Sequence, residues 1–175
     1  MSNKFLCAAI LFDEESNRKF EEIKKALKKS KVRILGLPLH ITLGMYEDVS
    51  KEEFIDYMDN FSMNNESFSI NFNHVGLFSL DTLFIEPSSS FELLNFYMKF
   101  HEKYDNSCTE AGYYYTLKSK CFVSHATAAI SSEPENTLNA LKIISDNFEP
   151  FTAKAVSLCL YEFYPVREIK VFNLK

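Results

Sequence analysis

The chain has 175 residues, of which 46% are hydrophobic and 25% are charged, and its formal net charge is −5. This length and composition are typical of one globular domain, or of two lobes that share a sheet system, with enough apolar residues for a sizeable core. The acidic balance argues against a broad phosphate-binding surface, which needs clustered lysine and arginine, so we expect no long duplex nucleic acid as a partner. A nucleotide or an RNA terminus remains compatible with it.

The cysteines predict a reducing environment. All four are scattered along the chain without a Cys-x-x-Cys pair: Cys7, Cys108, Cys121 and Cys159. Two of them lie in apolar, strand-like runs, where a buried and inert thiol is the usual case. No early apolar run has the flanks of a signal peptide, and none is long enough to span a bilayer. We therefore expect a cytoplasmic protein without disulfides and without a membrane partner.

Apolar runs and helical spacing predict the elements of the first half. A buried strand covers residues 5–12, a helix covers 13–30, and an extended segment covers 32–46. Along the helix, one side carries a group of lysines that we expect to be solvated: Lys24, Lys25, Lys28 and Lys29. A second helix begins at Ser50, because Glu53 three residues later completes a capping box.

The second half continues with strands and two more helices. We predict strands over 68–72, 75–78, 83–85, 120–130, 152–164 and 168–174, and helices over 91–104 and 134–148. Spacing on the first of these helices predicts an apolar, buried side made of Phe91, Leu94, Tyr97, Met98 and Phe100.

Two tripeptides carry the clearest chemistry, His40-Ile41-Thr42 and His125-Ala126-Thr127, and each lies in an apolar run. Residues i and i+2 of a strand point to the same face, so each tripeptide presents an imidazole beside a hydroxyl. A single such tripeptide is more often a structural histidine in the core, but two in matching contexts favour one shared cleft. Two imidazoles can act as an acid and a base near neutral pH, and two hydroxyls can hold phosphate oxygens.

The order of elements repeats along the chain and predicts its architecture. A strand, a helix, a His-x-Thr strand, a helix and further strands occur once in each half. We therefore predict an α+β fold of two pseudo-symmetric lobes, each an antiparallel sheet packed with helices, with the two motifs in a central cleft. The whole chain, residues 1–175, is expected to form this one bilobal domain.

Other residues give weaker signals. Tyr46 shares the parity of His40 and Thr42, so it either contacts substrate by stacking on a base at the cleft rim or packs in the core. Three consecutive tyrosines at 113–115 are candidates for a loop over the cleft. Neither His74 nor His101 has a threonine two residues later, and we expect both to be structural, with His101 at the surface or its boundary. Lone basic residues are usually solvated, and only a minority of the following would contact a phosphate: Arg33, Lys118, Lys120 and Arg167.

The paired His-x-Thr motifs resemble those of the two-histidine phosphoesterase superfamily, which includes the 2′-5′ RNA ligase-like cyclic phosphodiesterases. Here the motifs read L-H-I-T-L and S-H-A-T-A, and the F-E-P-F segment before the closing hairpin is also similar. Ser124 stands where the family often has proline before the second histidine, and Leu39 separates Pro38 from the first. The departures do not remove a motif side chain, but they leave the subfamily open.

The resemblance implies a metal-independent phosphodiesterase that hydrolyses 2′,3′-cyclic phosphates or 2′-5′ linkages of nucleotides or RNA ends. It implies His40 and His125 as catalytic residues and Thr42 and Thr127 as phosphate-binding residues. Neither motif histidine has a neighbour at the spacing of a zinc site such as H-E-x-x-H, so we expect no metal and no cofactor. The alternative is a non-catalytic nucleotide-binding module with the same cleft. In either case we expect a monomer.

Overall fold

A computed structural model describes residues 5–108 and 110–175 of the chain. Seven β-strands are found in this part of the chain: β1 (Phe5–Phe12), β2 (His40–Tyr46), β3 (Phe68–Phe78), β4 (Thr82–Pro87), β5 (Ala126–Ile130), β6 (Phe151–Phe163) and β7 (Arg167–Asn173). Four α-helices accompany them: α1 (Glu14–Leu27), α2 (Lys51–Met63), α3 (Phe91–Phe100) and α4 (Pro134–Asn147). Two short 3₁₀ helices, Asp105–Ser107 and Glu110–Tyr115, follow α3.

Local sequence signals explain where the helices begin. The side chain of Asp13 accepts a hydrogen bond from the Ser16 amide before α1, and Ser50 accepts one from the Glu53 amide before α2, as predicted. Ser90 caps α3 in the same way, and α4 begins with Pro134, whose missing N–H costs nothing at a first helical position.

All strands belong to one antiparallel sheet with the order β2-β1-β6-β3-β4-β5, and β7 pairs with β6. The central strand β6 joins the two halves. Its first residues, 151–155, pair with β3, whereas its remainder pairs with β1 and with β7. The predicted α+β class with antiparallel pairing is confirmed, and the two lobes share this strand.

The two motif strands lie at the opposite ends of the sheet order, yet β2 and β5 contact each other. The sheet therefore curves until its two ends meet. The prediction that residues 120–125 belong to the second motif strand is wrong, because β5 begins only at Ala126. His125 is thus the last residue of the loop that leads into β5.

The face of α3 that packs in the core differs from the prediction. Leu93, Phe96, Tyr97 and Phe100 are buried, whereas Phe91 is 79% exposed. Leu94 and Met98, also predicted to be buried, are exposed as well. The helix ends at Phe100, with His101 as its C-cap, instead of continuing to residue 104. Within the described residues, no helix combines the length and the apolar character needed to cross a membrane.

Candidate active site

The first motif lies on β2, where alternation separates a core face from a cleft face. Ile41 is fully buried, whereas His40 and Thr42 are half-buried. The Nδ1 of His40 is 2.8 Å from the carbonyl oxygen of Pro38. A backbone carbonyl only accepts, so Nδ1–H is the donor, and this bond holds the ring in one orientation.

The second motif repeats this arrangement at the start of β5. Ala126 is buried, whereas His125 and Thr127 are half-buried. The Nδ1 of His125 donates to the carbonyl of Val123 at 2.7 Å. In both motifs the histidine therefore binds the carbonyl two residues before it, although His40 begins a strand and His125 ends a loop.

The shared hydrogen bond determines which nitrogen can react. With Nδ1 protonated and held by a carbonyl, the neutral imidazole has its lone pair on Nε2. Both histidines thus present Nε2, and not Nδ1, to a reacting group. A neutral ring can take a proton there, and a cationic ring can give one, which is what an acid–base pair requires.

Burial and neighbouring charges shift the pKa values of both imidazoles. Burial lowers the pKa of His40 below its usual 6.5, and the charges of His125 and Lys24 lower it further, against the bond to Pro38. Burial also lowers the pKa of His125, opposed by the Val123 carbonyl and by the Glu86 carboxylate. Both rings are therefore biased towards the neutral form, and an adjacent anion would offset that bias.

The sequence did not identify Tyr115 individually, but the structure places it near the first motif. The side chain of Thr42 lies near the Tyr115 hydroxyl and near the thiol of Cys7, and it opposes the effect of burial on the pKa of both groups. Burial raises the pKa of Tyr115 to about 12 and that of Cys7 to about 12, so both groups carry their protons near neutral pH. The only earlier signal was the run of three tyrosines.

Residues 112–117, which include the three tyrosines and are called the tyrosine loop below, are held against β2. A Cβ on Gly112 would lie 2.2 Å from the carbonyl oxygen of Met45, so only glycine allows this close approach. The hydroxyl of Tyr97 donates to the carbonyl of Tyr115. The three tyrosines, predicted as a loop over the cleft, belong to the 3₁₀ helix Glu110–Tyr115 instead, and Tyr114 and Tyr115 line the cavity described next.

A cavity of about 480 Å³ opens beside the second motif. Its lining is mainly aromatic and aliphatic: Met45, Phe78, Tyr114, Tyr115, Cys121, Phe122, Val123 and His125. The ring of Phe78 meets the His125 ring edge-on, with centroids 4.7 Å apart, and Phe84 packs on the same imidazole at 5.3 Å. None of these lining side chains is a lysine or an arginine, which favours a planar, uncharged group as occupant.

Of the two roles left open for Tyr46, the structure shows packing in the core. Tyr46 is 1% exposed and contacts the rings of Phe54 and Tyr104. Its orientation follows from a β-bulge: Ala9 lies opposite Thr42 and Ala8 opposite Gly44, so Leu43 is an extra residue. One extra residue reverses the parity beyond it, and Met45 lines the cleft in place of Tyr46.

The prediction that Lys24 is solvated is wrong. This residue is 5% exposed, and its ammonium donates to the carbonyls of Leu35 and Leu37 at 3.3 and 2.9 Å. Glu21 pairs with the same ammonium at 2.5 Å. Lys24 thus anchors the segment just before Pro38, whose carbonyl holds His40.

Two of the lone basic residues, Lys118 and Arg167, have other side-chain partners, and the bridge of Arg33 is made by its backbone. Arg33 forms a backbone bridge with Ile130, Lys118 donates to Asn106, and Arg167 pairs with Glu162. The chain positions that the structure describes contain no group of three His, Cys, Asp or Glu side chains that could hold a metal ion.

Comparison with known proteins identifies the family. The model of the 2′-5′ RNA ligase superfamily matches residues 12–165. No match was found among curated proteins. Among solved structures, the chain is similar to TT0787 of Thermus thermophilus, with 16% identity, a TM-score of 0.70 and 97% of each chain covered.

Two further structures extend the likeness in fold. E. coli LigT complexed with 3′-AMP shares 15% identity with a TM-score of 0.62 over 98% of each chain. Kluyveromyces marxianus Usb1 with uridine monophosphate shares 12% identity with a TM-score of 0.53, over 98% of this chain and 99% of that one. Because the family model covers most of its length, the chain belongs to the 2′-5′ RNA ligase superfamily of two-histidine phosphoesterases.

Proposed function

We propose that this protein is a phosphodiesterase that hydrolyses a 2′,3′-cyclic phosphate or a 2′-5′ linkage of a nucleotide or RNA end. His40 and His125 act as the acid–base pair, and Thr42 and Thr127 bind the phosphoryl oxygens. The observation that supports the proposal most is the matched hydrogen bonding of the two imidazoles, in which Nδ1 is held by a carbonyl and Nε2 is left to react.

The reaction follows from these groups. One neutral imidazole takes a proton from water at Nε2 while the water oxygen bonds to phosphorus. The bond from phosphorus to one ribose oxygen breaks, and the second imidazole, cationic at that moment, protonates the departing oxygen. Each proton transfer contributes about 10²–10⁴ in rate. Hydroxyls of Thr42 and Thr127 donate to the phosphoryl oxygens, where negative charge concentrates in the transition state.

The negative charge of the substrate favours the cationic form of one imidazole. Burial lowers the pKa of both histidines, so neither is favoured as a cation in the free cleft. A phosphodiester bound between them carries one negative charge, which raises the proton affinity of an adjacent imidazole. The protonated acid is therefore stabilised by the substrate itself, and no metal ion takes part in the proposed steps.

The cavity beside His125 supports a nucleotide as substrate. Its aromatic lining suits stacking with a nucleobase, which contributes about 1–3 kcal/mol per base and depends little on base identity. Related structures hold 3′-AMP in LigT and uridine monophosphate in Usb1. Because the lining has no cationic side chain, a single terminal phosphate suits the site better than a long polyanionic strand.

The test is hydrolysis of a panel of 2′,3′-cyclic nucleotides and 2′-5′ dinucleotides in the presence of EDTA, with the position of the product phosphate determined by ³¹P NMR. We expect turnover of at least one class, little dependence on the base, and no loss with EDTA. Binding of the same nucleotides without turnover would contradict the proposal and support the non-catalytic module. A cytoplasmic, monomeric protein stays a prediction from the sequence.

A further inference from the structure

His101 is a buried polar residue that the proposed reaction does not use. It is 2% exposed, so the expectation of a surface or boundary position is wrong. From the C-terminus of α3 its Nε2 donates to the carbonyl oxygen of Leu43 at 2.8 Å, across 58 positions of sequence. Its Nδ1 is hydrogen-bonded to the carboxylate of Asp105.

The carbonyl that His101 binds belongs to the bulge of β2. Leu43 is the extra residue there and has no residue opposite it in β1, and it is fully buried. A buried carbonyl without a donor is costly, so the bulge needs a side-chain donor at this point. Leu43 directly follows Thr42, so a donor that fixes the peptide between Leu43 and Gly44 also fixes the position of the Thr42 hydroxyl.

Asp105 connects the same histidine to the tyrosine loop. Its second carboxylate oxygen accepts from the amide of Leu117 at 3.1 Å, so Asp105 joins the two ends of segment 105–117. The ring of Tyr97 packs on His101 with centroids 4.4 Å apart, and its hydroxyl donates to the carbonyl of Tyr115. Leu43, the neighbour of Thr42, and the backbone of Tyr115 are thus both connected to one buried imidazole, Leu43 directly and Tyr115 through Tyr97.

We propose that His101 and Asp105 are a positioning pair that holds the Thr42 hydroxyl and the Tyr115 loop in register at the phosphate subsite. The proposal rests on the proposed function, because Thr42 is the phosphate ligand there. Neither His101 nor Asp105 contacts substrate. They act on the reaction through the Leu43 carbonyl and the Leu117 amide.

Two amide variants separate this role from simple packing. In His101→Gln the side-chain amide lies near the place of Nε2 and keeps a donor for Leu43. In His101→Asn the amide lies near Nδ1, reaches only Asp105, and leaves the Leu43 carbonyl without its donor. We expect kcat for 2′,3′-cyclic AMP to fall about 10-fold or more in His101→Asn, with a smaller change in KM, and about 3-fold or less in His101→Gln.

A double-mutant cycle with Thr42→Val tests the route of the effect. If His101 acts through the Thr42 hydroxyl, His101→Asn has little further effect on kcat once that hydroxyl is absent. Equal kcat values for the two amide variants, or full additivity with Thr42→Val, would overturn the proposal. If His101→Asn does not fold, Asp105→Asn replaces it, because its amide has one acceptor for two donors; unchanged kcat there overturns the proposal too.

Binding of inorganic phosphate, measured by calorimetry, makes the test independent of turnover. We expect a lower affinity in His101→Asn than in His101→Gln and the wild type. A wild-type protein that binds phosphate but does not hydrolyse any substrate would refute the proposed function alone. Equal phosphate affinity in both variants would refute the positioning role, whatever the turnover of the wild type.

Discussion

The contact between Gly112 and β2 gives the prediction that can be worked out furthest from the structure. A Cβ at residue 112 would lie 2.2 Å from the Met45 carbonyl oxygen, whereas carbon–oxygen contacts are about 3.3 Å or longer. In Gly112→Ala the loop must therefore withdraw by about 1 Å. The obstacle is backbone, not the end of a flexible side chain, so β2 cannot easily give way.

The displacement reaches the site through Tyr115. A withdrawal of that size separates the Tyr115 hydroxyl from Thr42 and opens the cavity wall that Tyr114 and Tyr115 form. We expect overpacking to cost about 1–3 kcal/mol of stability. Misplacement by about 1 Å near a reacting group can cost up to about 100-fold, so we expect a 10- to 100-fold loss in kcat/KM.

The matched control is Gly36→Ala, because a Cβ there meets no atom within 4 Å. The assays are urea unfolding and steady-state hydrolysis of 2′,3′-cyclic AMP for both variants and the wild type. Gly36→Ala should resemble the wild type in both assays and keep its kcat/KM. If Gly112→Ala keeps it too, the tyrosine loop does not position Tyr115 at the site.

Three further predictions concern the motifs and their supports. Thr42→Val or Thr127→Val removes a hydrogen bond to a charged oxygen, which contributes about 1.5–3 kcal/mol. In initial-rate assays kcat should therefore fall about 10- to 100-fold. Unchanged rates would exclude that threonine from phosphate binding. Burial lowers the pKa of both motif histidines below 6.5. The pH profile of kcat/KM reports the ionisation of the free enzyme, so its maximum should lie below pH 6.5. A maximum above about pH 7 would contradict this prediction. Lys24→Met leaves two carbonyls without their donor and should cost about 1–3 kcal/mol in urea unfolding, whereas exposed Lys25→Met should change stability by less than about 0.5 kcal/mol; equal effects would refute the anchoring role of Lys24.

Local periodicity was sufficient for much of the fold and for the centre of the site. The alternation around His40 predicts a core face, and Ile41 lies there fully buried, whereas His40 and Thr42 are half-buried. The capping box at Ser50 predicts the start of α2 because its two residues are three positions apart, and Ser50 caps that helix. These features depend on neighbours in sequence, which a single chain displays directly.

What the sequence did not predict depends on contacts between distant segments. The bulge at Leu43 reverses parity, so the pattern could not decide between a cleft and a core position for Tyr46, and Met45 lines the cavity instead. Apolar residues lie on several sides of α3, and spacing alone could not tell that Leu93 packs inward while Phe91 does not. His101 is buried, and one of its two hydrogen-bonding partners, the carbonyl of Leu43, lies 58 positions away in the sequence.

The most direct test of the central claim is the rate of 2′,3′-cyclic AMP hydrolysis in His40→Ala and in His125→Ala, with folding verified for each. Both imidazoles present Nε2 to one cleft in the proposed mechanism, so each variant alone should lose about 100-fold or more in kcat. If either variant hydrolyses the substrate at the wild-type rate, the two histidines do not act as an acid–base pair and the proposed mechanism is wrong.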